Sequence, residues 1–169
     1  MSARLSTAIR IGDAAMAILR KTKTFPTTGF GEGADPNDYE HIGVEPILLA
    51  LAMELALKAW LVFDNDHPRV PKTHDLEALF ERLKPESQEK LDTEFKRSVA
   101  PFHPNGFFID YGIRHILHQH KDAFVDWRYL HEPKNTSFEH SAFEATLVMV
   151  LAEFRKRYRI EPARPYRSL

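Results

Sequence analysis

The chain contains no cysteine. That excludes a disulfide framework, a thiolate zinc site and a cysteine nucleophile, and it fits a reducing compartment. Charge of either sign is not in excess: 23 basic and 24 acidic residues leave a formal net charge of −1. No global field therefore draws the chain to nucleic acid or to a membrane, and contact with either needs a local patch. No stretch alternates apolar and polar residues over a useful length, so strands are not expected. Internal repeats and low-complexity tracts are also missing. The opening residues Met1 to Leu5 lack the apolar core of a signal peptide. The expectation is a cytoplasmic protein whose 169 residues form one domain with a substantial core.

What the sequence does have is one long apolar run, Glu45 to Phe63, broken only by Glu54 and Lys58. Those two lie four residues apart and share a helix face as a Glu-before-Lys pair. The residues are mostly strong helix formers, and Pro46 fits a first helical turn. A helix apolar nearly all round is either a membrane span or the central helix of a soluble bundle. The two charges and the polar remainder favour the bundle and no membrane partner. Leu51, Leu55 and Trp60 are expected in its core.

The rest reads as further helices around it. Residues 2–21 carry Leu5, Ile9, Met16 and Leu19 at helical spacing, with small Ala8, Gly12 and Ala15 between them. Residues 22–43 form a long connection rich in Gly, Pro, Thr and Asp. Its Thr28-Gly29-Phe30-Gly31-Glu32-Gly33 lacks the strand and the Lys-Ser/Thr ending of a phosphate loop, and it reads as a loop or lid. Thr73 is placed to cap a helix over 74–83, and Pro85 starts another that ends near Ala100 with Leu91, Phe95 and Val99 inward. A fifth helix is expected over 110–131, with core stripe Ile113, Leu117, His120, Phe124 and Trp127. Beside it runs the polar stripe Arg114, His118, Lys121, Arg128. The last helix covers 138–158. The fold class is an all-α antiparallel bundle of five to six helices.

Three local patterns together resemble the HEPN superfamily of helical domains. They are Ala52-Met53-Glu54-Leu55-Ala56-Leu57-Lys58-Ala59, then Lys72-Thr73-His74-Asp75-Leu76 with Leu79, then Phe124-Val125-Asp126-Trp127-Arg128-Tyr129-Leu130-His131-Glu132. They span roughly residues 45–132. The resemblance implies a bundle that dimerises. It also implies one of two activities. Many such domains are metal-independent ribonucleases of toxin or defence type, built on an Arg-x(4–6)-His motif. Others are non-catalytic modules that partner minimal nucleotidyltransferases. The expected partners are a second copy, RNA, and a nucleotidyltransferase or antitoxin; no cofactor or metal is implied.

Arg114-His115-x(4)-His120 fits the motif, with His as general base at a 2′-hydroxyl and Arg stabilising the phosphorane. Six residues on a straight helix place Arg114 and His120 on different faces, whereas Arg114 and His118 share one. His118 therefore stands beside His120 as the catalytic histidine. His120 on the apolar stripe also reads as a hydrogen-bonded core histidine. Arg128 and Lys121 extend the set as RNA- or phosphate-binding residues, and Arg128 with Glu132 reads equally as an i,i+4 pair. The C-terminal run Arg155-Lys156-Arg157-Tyr158-Arg159 adds Arg155 and Arg157 as backbone contacts. The same cations also dress a helix C-terminus, and residues 160–169 form a basic tail. His115, His118 and His120 cluster, but no Glu-x-x-His or His-Glu-x-x-His pattern accompanies them, so no metal site is expected.

Overall fold

The computed structural model describes residues 3–25, 44–67, 69–105, 111–126 and 138–158. These residues are all-helical, with no strand. The elements are α1 (Ala3–Thr22), α2 (Val44–Asn65), α3 (Leu76–Glu81), α4 (Pro85–Ser98), α5 (Ile113–Gln119), α6 (Ala123–Asp126) and α7 (His140–Arg155). Most of the loop expected at 22–43, the tail at 160–169 and Arg128 lie outside the described residues.

Helix α2 is apolar on all sides because it has neighbours on most of them: α1, α3, α6 and α7 all pack against it. It has the length and apolarity of a membrane span, yet 67% of its most apolar stretch is buried inside the chain's own fold. That arrangement is compatible with a soluble bundle. Its fully buried residues include Leu49, Met53, Leu57 and Trp60, spaced by four, four and three. The Trp60 indole N–H donates to the Val150 carbonyl of α7 at 3.2 Å, so the largest core side chain leaves no polar atom unpaired. Leu51 and Leu55, expected inside, are only partly buried.

Helix α1 turns its small residues inward. Ala8, Gly12, Ala15 and Leu19 are buried, while Leu5 and Met16 are half-buried. The reason is close packing. A Cβ added at Gly12 would lie 2.9 Å from Phe154 Cε1, so α1 meets the aromatic end of α7 only because that position has no side chain.

The expected fifth helix is two pieces. The His120 ring donates through Nδ1 to the Ile116 carbonyl at 2.9 Å, the same carbonyl that accepts the His120 backbone N–H at 3.2 Å. The following bonds tighten, with Lys121 N–H on His118 O and Ala123 N–H on His120 O. The break leaves the Lys121 carbonyl free of the ladder, and it accepts the Leu76 N–H at 3.3 Å. Helix α3 thus starts against the α5–α6 break. Its cap is Asp75, whose Oδ1 accepts the Ala78 N–H at 2.8 Å; Thr73, the expected cap, instead accepts the Asp75 N–H.

Leu57→Ala should lower unfolding free energy by about 2–5 kcal/mol, and Leu55→Ala by clearly less. Urea titration of the two variants measures this, and equal losses would contradict an α2 that turns Leu57 inward and Leu55 toward the edge of the core.

Candidate functional site

Helices α3 and α5 run antiparallel along a shared seam. Arg114 Nη2 lies 3.3 Å from Glu81 Oε1, and one helical turn further His118 Nδ1 lies 2.7 Å from Glu77 Oε2. Both basic side chains are more than half exposed. The two pairs face each other because 77 and 81, like 114 and 118, are four residues apart on their helices. A groove of about 560 Å³ opens there, lined by Glu77, Arg114, His115, His118 and Gln119. A carboxylate on Nδ1 fixes the imidazole and directs Nε2 to the outside, where it can take or give a proton. Glu77 and Glu81, not expected as site residues from the sequence, therefore belong to the site.

The beginning of α5 is built by α4. Asp92 Oδ1 accepts the Ile113 N–H at 3.0 Å, and a Cβ at Gly112 would fall 2.3 Å from that oxygen. Only glycine lets Asp92 reach the helix end and hold Arg114 and His118 over the groove.

His120 is placed elsewhere. It is 2% exposed, its Nδ1–H donates to Ile116 O, and its Nε2 accepts the Glu139 N–H at 3.0 Å. Both nitrogens are used, the tautomer is fixed, and Phe138 and Phe143 pack against the ring. Burial pushes its pKa below the ordinary 6.5, against smaller upward pulls from the Ile116 carbonyl and Glu139. His120 is a neutral core histidine and does not line the groove holding Arg114 and His118.

The outlying cations also separate. Arg157 is turned inward: its Nη1 sits 2.6 Å from Asp64 Oδ1, and its guanidinium lies over Trp60 and Phe63 at 4.5 and 4.2 Å. Asp64 is completely buried and also accepts from Ser87 Oγ and the Lys84 N–H, so Arg157 completes a structural ion pair rather than a phosphate contact. Arg155 remains exposed at the end of α7, and Lys121 is half-buried beside the α5–α6 break.

A second cluster brings together residues of all three motifs that carried the resemblance. Glu54, its side chain 5% exposed, lies 2.5 Å from Lys58 Nζ through one oxygen and 2.8 Å from His74 Nδ1 through the other. The His74 ring stacks on Phe124 at 4.7 Å between centroids and 23° between planes. Among the described residues, no group of three or more His, Asp or Glu is arranged to hold a metal ion. No protein-family model, curated protein or solved structure matches the chain.

His120 gives the fold a pH dependence of definite sign. Its folded pKa is lowered, so its contribution is whole above pH 6.5 and is lost progressively as pH falls below that value, where only the unfolded chain takes the proton. The stability difference between wild type and His120→Gln should therefore shrink as pH is lowered from 6.5. Urea midpoints across that range check it, and a constant difference would contradict the neutral, buried assignment.

Proposed function

We propose that the protein is a HEPN-like, metal-independent endoribonuclease acting on RNA, with Arg114 and His118 as its catalytic pair. One observation carries this reading: a carboxylate-anchored His118 sits one helical turn from Arg114 on an exposed face. His118 Nε2 takes the proton of a 2′-hydroxyl, the 2′-oxygen attacks the adjacent phosphorus, and Arg114 neutralises the charge that grows on the phosphorane. His118 is chosen over His120 because both His120 nitrogens already hold backbone partners. The Arg114–Glu81 contact is long and exposed, worth about 0–1 kcal/mol, so a phosphate can displace it. Lys121 and Arg155 extend the phosphate contacts. Two copies facing each other across a two-fold axis join their seams into one cleft, the isologous assembly most common among oligomers. The reading places the protein in the cytoplasm as a toxin or defence factor restrained by an antitoxin.

One observation favours a binding module instead. Each seam cation already faces a carboxylate, Glu77 or Glu81, so the groove offers a phosphate chain little net attraction. In that reading the groove receives a partner protein such as a nucleotidyltransferase, without turnover.

The wild type should cut single-stranded RNA in the presence of chelator, leave cyclic phosphate ends, and spare an all-2′-deoxy strand. Arg114→Ala and His118→Gln should each slow cleavage about a hundredfold or more at unchanged thermal midpoint. If the wild type leaves a varied RNA pool intact, the ribonuclease reading fails and the binding module stands in its place.

A further inference from the structure

The transesterification has a second half. As the 2′-oxygen–phosphorus bond forms, the phosphorus–5′-oxygen bond breaks, and the departing alkoxide needs a proton. With His118 taking the 2′ proton, that donor must be another group.

Along the seam, residues 74–81 and 114–124 meet in antiparallel order, the register shifting by two to three residues where α5 breaks after Gln119. Arg114 meets Glu81, His118 meets Glu77, the Lys121 carbonyl meets the Leu76 N–H, and Phe124 meets His74. His74 precedes Glu77 by three residues, a backbone reach of at most about 11 Å. It follows His118 in the antiparallel order of the seam, outside the residues that line the groove itself.

Its setting is that of a held acid–base group. Nδ1 is tied to the buried Glu54 carboxylate at 2.8 Å, one ring face is covered by Phe124, and the side chain is still 52% exposed. Nε2, the nitrogen left over, points away from its anchor. A buried carboxylate is costly to keep, and Glu54 keeps its place by serving Lys58 with one oxygen and His74 with the other. His115 also lines the groove, but its Nδ1 accepts the Gly112 N–H at 3.2 Å and braces the start of its own helix.

We propose that His74 is the proton donor to the leaving 5′-oxygen, with Glu54 as its positioning residue. This rests on the ribonuclease reading. In the step, His118 Nε2 gains the 2′ proton, His74 Nε2 gives a proton to O5′, and the products are a cyclic phosphate and a free 5′-hydroxyl.

An activated substrate separates the two histidines. Uridine 3′-(4-nitrophenyl phosphate) expels nitrophenolate, which leaves without protonation, so it needs the base but not the acid. His74→Asn is the variant of choice, because its amide nitrogen replaces Nδ1 against Glu54 while Nε2 is removed; His74→Gln serves if the Asn variant loses its thermal midpoint. The His74 variant should cleave RNA about a hundredfold or more slowly, the usual size for one proton-transfer group, yet cleave the nitrophenyl ester within about threefold of wild type. His118→Gln should be slow on both. Normal RNA cleavage by the His74 variant, slowness on both substrates, or the rescue pattern appearing in His115→Gln would overturn the proposal. In each of those cases the wild type cleaves RNA. A wild type that cleaves neither substrate overturns the ribonuclease reading and this inference with it.

Discussion

A carboxylate buried in the middle of an apolar helix is the constraint on which the working part of this molecule depends. Glu54 lies in α2 with its side chain 5% exposed, and removing such a group from water costs several kcal/mol unless partners surround it. Lys58 supplies one from the same helix. His74 supplies the other from the segment leading into α3, twenty residues away in sequence. The second contact restricts how that segment can lie against α2. From His74 the register runs through the Asp75 cap and the Leu76–Lys121 bond to the pairs Glu77–His118 and Glu81–Arg114.

The same device recurs at two other places in the bundle. Asp64 at the end of α2 is buried beneath Arg157 and Ser87, joining α2, α4 and the residues after α7. Glu153 on α7 is bound by Lys156 and by Lys90 of α4; burial alone would raise its pKa, but the two ammonium groups outweigh it and hold the pKa below the ordinary value. Each buried acid has a basic partner, so the polar core orients elements without leaving a charge unpaired. The apolar contacts supply the bulk of the driving force and are far less selective about register.

Much of this architecture was legible in the sequence. The composition of α2, the proline at the start of α4 and the helical spacing around residues 113–119 were enough to expect an all-α bundle. The four-residue spacing of Arg114 and His118 already placed them on one face. The break after Gln119 was not legible, because the Lys121 carbonyl leaves the ladder for the Leu76 N–H, a contact between residues far apart in sequence. The inward face of α1 is hidden from a reading that weighs apolar size over closeness of approach, and Gly12 with Phe154 reverses that weighting. Arg157 looked like one cation in a basic run, and nothing local says that one of them turns toward an aspartate 93 residues earlier. Glu54 and His74 were visible as motif residues, but their contact is a tertiary fact.

The most direct test of the central claim is a double-mutant cycle on the buried charge. Glu54→Gln alone leaves Lys58, 12% exposed, without its counter-charge and should cost about 3–5 kcal/mol of unfolding free energy. Adding Lys58→Met to that variant should restore at least half of the loss, because the unpaired ammonium is then gone. Urea denaturation of the two single variants, the double variant and the wild type gives the coupling. Losses that simply add, or a Glu54→Gln variant within about 1 kcal/mol of wild type, would show that this carboxylate does not hold the fold together.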